Sequence, residues 1–104
     1  MGRSPELAVV MDWGGTWVRV SVANRLGELV WSARQRNPDG GRKQLLGVAE
    51  GLLRRAIDWC SGQPIAGIGV AIASPVDVDS GTLYEPPNLP ALDGVSLKDR
   101  KSVV

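Results

Sequence analysis

An unbroken apolar run, Leu7-Ala8-Val9-Val10-Met11, stops at Asp12-Trp13-Gly14-Gly15-Thr16, and this junction constrains the fold more than any other feature of the chain. The run reads as a strand buried on both faces. The turn that ends it draws on the backbone freedom of two adjacent glycines. Beyond the turn, Val18, Val20 and Val22 alternate with Arg19, Ser21 and Ala23, the period of a strand with one polar face. Asn24-Arg25-Leu26-Gly27 supplies a second turn, and a third strand spans 28–34 with Leu29, Trp31 and Ala33 on one side. Strands joined by turns this short make an antiparallel meander.

The period then changes. After a loop at Asn37-Pro38-Asp39-Gly40-Gly41, the residues Leu45, Ala49, Leu52, Leu53, Ala56, Ile57 and Cys60 form one helical stripe. Ser61-Gly62-Gln63-Pro64 stops that helix. Ile68, Val70 and Ile72 then alternate with Gly67, Gly69, Ala71 and Ala73, a strand whose second face is nearly bare. The order β-β-β-α-β defines an α/β domain. From Pro75 onward the chain is rich in turns, with a short hairpin expected around Asp79-Ser80-Gly81. Ser96-Leu97-Lys98-Asp99 has the form of an N-cap opening a final, marginal helix.

Composition removes several function classes. At 104 residues the chain makes one domain with a real core, and 43% hydrophobic against 22% charged residues is ordinary globular usage. A net charge of +1 gives no basic field for nucleic acid or for a membrane surface. The absence of histidine removes a Ser-His-Asp triad and any His-ligated metal site. A single cysteine, Cys60, removes disulfides and a cysteine-cluster zinc site within this chain, and it reads as a buried, inert thiol. The apolar run at 7–11 is too short for a leader or a membrane span, so the chain reads as soluble, and with no oxidising-compartment cysteine pattern the cytoplasm is the default setting.

Asp12-x-Gly-Gly-Thr16 is the sharpest chemical feature. Gly14 and Gly15 would let backbone N–H groups approach phosphate oxygens, Thr16 would add a hydroxyl donor, and Asp12 could hold Mg²⁺ directly or through water. On this motif alone, an ordinary glycine hairpin remains an equal alternative. Gly67 to Ala73 fits close packing under a helix better than approach to a ligand. Asp77 and Asp79 fit a solvated Asx turn better than a cation site. Asn88, within Pro86-Pro87-Asn88-Leu89-Pro90, could orient a polyol but is by default a turn residue. Trp13 and Trp17 flank the glycine turn and are read first as packing residues.

Taken in order, these segments resemble the N-terminal part of ROK-family proteins (repressors, open reading frames and sugar kinases). The likeness rests on Asp12-Trp13-Gly14-Gly15-Thr16, Val18-Arg19-Val20, Leu26-Gly27-Glu28-Leu29, Ile65-Ala66-Gly67-Ile68-Gly69-Val70, Ser74-Pro75-Val76-Asp77, Pro87-Asn88-Leu89-Pro90, Asp93-Gly94-Val95 and Leu97. It runs from about Leu7 to Leu97. The resemblance implies the ribonuclease-H-like fold shared by actin, sugar kinases and chaperone ATPases. It implies a glucokinase-type hexose kinase that uses ATP and Mg²⁺, with Asp12, Gly14, Gly15 and Thr16 at the phosphates and Asp12 at the metal. Ser74, Pro75 and Asn88 would border a glucose-like sugar.

The chain also departs from the family. Ala73-Ser74-Pro75 stands where members often read Pro-Gly-Pro, and Ala91-Leu92 where an aromatic often follows. The family's catalytic aspartate segment, its cysteine-rich zinc motif and its second phosphate-binding domain have no counterpart here, and Lys101-Ser102-Val103-Val104 does not continue the pattern. Residues 1–104 therefore read as one partial domain with no catalytic residue of its own, expected to be inactive alone and to expose an open sheet edge. Two other readings stand beside the kinase. One is a sugar-responsive transcriptional regulator of the same family, although only six residues precede Leu7 where a helix-turn-helix would lie. The other is a non-catalytic remnant that binds nucleotide or sugar.

Overall fold

The computed structural model describes residues 7–77 and 79–98. Strands β1 (Leu7–Trp13), β2 (Trp17–Ala23) and β3 (Leu29–Arg36) precede helix α1 (Arg42–Trp59), which leads to β4 (Ile65–Ile72). The four strands form one sheet in the order β3-β2-β1-β4. β1 and β2 are antiparallel, as are β2 and β3, and β4 joins β1 in parallel, as a strand returning through a helix must. A two-stranded hairpin, β5 (Val76–Asp77) with β6 (Thr82–Leu83), and a 3-10 turn at Pro90–Leu92 follow. The meander, the helix and the expected hairpin are all present.

The core lies between the sheet and α1. Val9, Met11 and Trp13 from β1 and Val18, Val20 and Val22 from β2 are buried against Leu45, Leu46, Ala49, Leu52, Leu53 and Ala56 of α1. Cys60 closes the helix with its side chain fully buried. The turn beyond it is held by Gln63 N–H donating to the Cys60 carbonyl at 3.0 Å.

Four expectations change. β1 is not buried on both faces: its burial alternates, leaving Val10 38% exposed and Asp12 exposed. α1 covers one side of the sheet, and no described element covers the other. For the same reason the bare face of β4 is not packed under a helix, since a Cβ on Gly67 would meet nothing within 4 Å. In β3, Leu29 does not share a side with Trp31 and Ala33. The register shifts between Val22 and Ala23, so Leu29 falls opposite Ala23 and stays 59% exposed. Ser21, expected on the polar face of β2, is buried and exchanges a 2.8 Å hydrogen bond with Ser32. The helix expected from Ser96 opens at Leu97 and Lys98, while its continuation and the segment Lys101–Val104 lie outside the described residues. Ser96 itself bridges Thr82 and donates its hydroxyl to the Ser80 carbonyl at 2.5 Å.

Candidate functional site

The parallel pairing of β1 with β4 sets Trp13 against Ile72, so the turn after β1 and the loop after β4 emerge at the same end of the sheet. In open α/β sheets that carboxyl end is where ligands bind. The turn is a tight hairpin in which Gly14 N–H donates to the Trp17 carbonyl at 2.9 Å. Gly14, Gly15 and Thr16 are all exposed, and Gly15 N–H has no partner among the described residues. Asp12, one residue before Trp13, points to the uncovered face of the sheet between Arg19 of β2 and Ala71 of β4. There it lines a hollow of about 470 Å³ with Val10, Arg19, Ser21, Gly69 and Ala71.

Asn88 reaches the same turn from far along the sequence. A Cβ on Gly15 would lie 3.0 Å from the Asn88 Cβ and 3.4 Å from its Cγ, so only glycine admits the side chain this closely. The segment carrying Asn88 is anchored by buried Pro86, Leu89 and Leu92. It is also tied to the start of α1: Arg42 Nε donates to the Ala91 carbonyl at 3.0 Å and Nη2 to the Asp93 carbonyl at 2.6 Å. Ser74 is placed differently. Its hydroxyl donates to the Pro75 carbonyl at 2.9 Å, within its own loop, and Pro75 in turn accepts from Tyr84 N–H at 3.0 Å. Ser74 faces a cavity of about 370 Å³ that it shares with Val70, Ile72, Val76, Gly81, Leu97 and Lys98.

The remaining candidates resolve on their geometry. Asp77 Oδ1 accepts from Asp79 N–H at 3.0 Å, which is an Asx turn. Trp13 is buried, with its indole N–H donating to Asn37 Oδ1 at 3.0 Å. Trp17 is 38% exposed and lies under the Arg34 guanidinium, 4.2 Å from the ring centroid, with Arg36 at 5.5 Å. Burial pushes the Cys60 thiol pKa up, in keeping with an inert thiol. Sequence reading missed Asn37 and Arg42. The first had a signal: an asparagine ahead of a proline at a strand end is held extended, with a donor and an acceptor on one side chain.

The residues present fit a nucleotide phosphate in part. The exposed glycine turn offers the free Gly15 N–H and the Thr16 hydroxyl, two donors of the kind a phosphate oxygen accepts from. The Asp12 carboxylate makes no hydrogen bond or ion pair among the described residues. Among those residues no group of three or more metal-ligating side chains exists, so a cation here would take most of its ligands from phosphate and water, as Mg²⁺ commonly does.

No family model matches the chain. The chain is similar to the N-acetyl-D-glucosamine kinase of Erwinia tasmaniensis, with 32% identity over 87 residues, 84% of this chain and 28% of that protein. It superimposes on a ROK family glucokinase from Streptomyces griseus, solved with glucose and AMPPNP, at a TM-score of 0.77 and 21% identity. That match covers 93% of this chain and 30% of the glucokinase. A ROK family transcriptional regulator also gives a TM-score of 0.77, at 10% identity, over 90% of this chain and 24% of the regulator. The chain thus spans about three tenths of the length of the curated relative it matches. The mixed sheet in β-β-β-α-β order is the ribonuclease-H-like N-terminal lobe found in sugar kinases. Within that class, the chain is similar in fold to the N-terminal part of ROK-family proteins.

Proposed function

We propose that this chain carries the nucleotide-phosphate half of an ATP-dependent, glucokinase-type hexose kinase. The observation that carries the reading is the approach of Asn88 to Gly15 on the exposed Gly14-Gly15-Thr16 turn, with the Asp12 carboxylate on the adjoining sheet face. In this reading the turn's N–H groups and the Thr16 hydroxyl hold phosphate oxygens, and Asp12 holds Mg²⁺ directly or through water. When bound at Asp12, Mg²⁺ would supply charge neutralisation for the phosphate being transferred. Asn88 orients a glucose-like sugar hydroxyl. Ser74 and Pro75 border the sugar from the β4 loop, with the Ser74 hydroxyl first giving up its bond to Pro75. No residue of the chain is assigned the role of catalytic base.

The kinase relative supports a transferase over a regulator, because the fold matches both kinds of neighbour equally well. A sugar kinase working on soluble metabolites fits a cytoplasmic setting. No helix among the described residues is long and apolar enough to cross a membrane. The test is a titration of the folded chain with Mg-AMPPNP, followed by tryptophan fluorescence, since Trp13 and Trp17 flank the turn. We expect saturable quenching that Gly15→Val abolishes, because its side chain would collide with Asn88 and fill the phosphate approach. A flat titration of folded wild-type protein, or one that Gly15→Val leaves unchanged, sinks the reading.

A further inference from the structure

Asn37, the first residue beyond β3, is joined to the β1–β2 turn at three points. Its backbone N–H donates to the Thr16 carbonyl at 2.8 Å, its Nδ2 donates to the Gly14 carbonyl at 2.8 Å, and its Oδ1 accepts from Trp13 Nε1 at 3.0 Å. Only one orientation of the amide satisfies both side-chain bonds, so each fixes the other. The Trp13 ring is 2% exposed, which makes its indole a rigid post for Asn37 to lean on.

The consequence follows from peptide geometry. In a planar trans peptide the C=O and the following N–H point in opposite directions. Holding the Gly14 carbonyl toward Asn37 therefore turns the Gly15 N–H away from β3 and out of the hairpin. That N–H has no partner among the described residues. We infer that Asn37 is a positioning residue: it aims the Gly15 amide, pre-set before any ligand arrives, at the oxygen of a bound phosphate. The inference rests on the nucleotide reading above and adds to it the device that spares the glycine turn from ordering itself on binding.

Two variants separate the bonds. Asn37→Ala removes both side-chain contacts, whereas Asn37→Asp keeps an acceptor for Trp13 but has no donor for the Gly14 carbonyl. The first readout is ¹⁵N relaxation of the apo chain. In both variants the Gly15 amide order parameter should fall from roughly 0.85 to below about 0.6, while the rest of β1 and β2 is unchanged. The second is the Mg-AMPPNP dissociation constant, which should weaken about tenfold in Asn37→Asp, the effect of losing one supporting hydrogen bond. If Asn37→Ala fails to fold, Asn37→Asp decides alone. An unchanged Gly15 order parameter together with an unchanged affinity overturns the inference. If wild-type protein with an ordered turn does not bind Mg-AMPPNP, the nucleotide reading falls and phosphate falls with it as the target of the amide. The relaxation comparison still decides whether Asn37 aims that amide.

Discussion

Cys60 ends α1 with its thiol fully buried and its pKa raised by desolvation. The folded state therefore holds the proton more tightly than the unfolded chain does. Stability from this group is fully present below the unfolded thiol pKa, near 9.0, and is lost as pH rises through the higher folded value. Urea melts between pH 8 and 11 should show that alkaline loss, and Cys60→Ala should diminish it. Other residues differ in how far the sequence announced them. The Asp12–Thr16 turn is legible because its chemistry lies within five consecutive positions. Asn37 is legible only as an asparagine ahead of a proline, because its partners Trp13 and Gly14 stand 24 and 23 residues away. Asn88 could be named from its segment, but its contact with Gly15 belongs to the tertiary fold alone.

At the scale of elements, α1 was readable from its stripe because every apolar position on it found the sheet. β1 misled, since a run of five apolar residues looks the same whether one face or both are covered. The start of α1 is under-capped. Gly41 occupies the N-cap in extended conformation, no side chain caps the helix, and no acidic residue lies in its first turn. A Cβ at Gly41 would meet nothing within 4 Å, so Gly41→Asp fits without strain. An Asp there should accept from a first-turn N–H and favour the positive end of the helix dipole, raising unfolding free energy by about 0.5–1 kcal/mol. Chemical denaturation measures the gain; a loss of stability would show that Gly41 serves the preceding loop and not the helix.

The molecule as a whole is a half-dressed sheet. β3 and β4 are both edges, and the uncovered face displays Trp17, Leu29 and Val10, with 38–59% exposure. From Ile65 to Ala73 the β4 edge carries no charge and no proline, the devices that usually keep edges apart. The 104-residue chain should therefore self-associate. Ala71→Lys, which places a charge beside Asp12 on the bare face, should raise the monomer fraction measured by sedimentation. A single monomer species with cooperative unfolding would contradict this.

The separation between Gly15 and Asn88 along the chain also sets an order of events during folding. β1, β2 and β3 pair through local turns, which cost little loop entropy, whereas β4 pairs with β1 only after the whole of α1 intervenes. Asn88 arrives later still, on a segment docked through Arg42 to the first residue of that helical crossover. The glycine turn and its Asn37 brace thus belong to the part of the molecule that nascent chain can build first, and the wall against Gly15 to the part it builds last. A chain emerging from the ribosome would own its glycine turn well before it owned the wall that Asn88 sets against it.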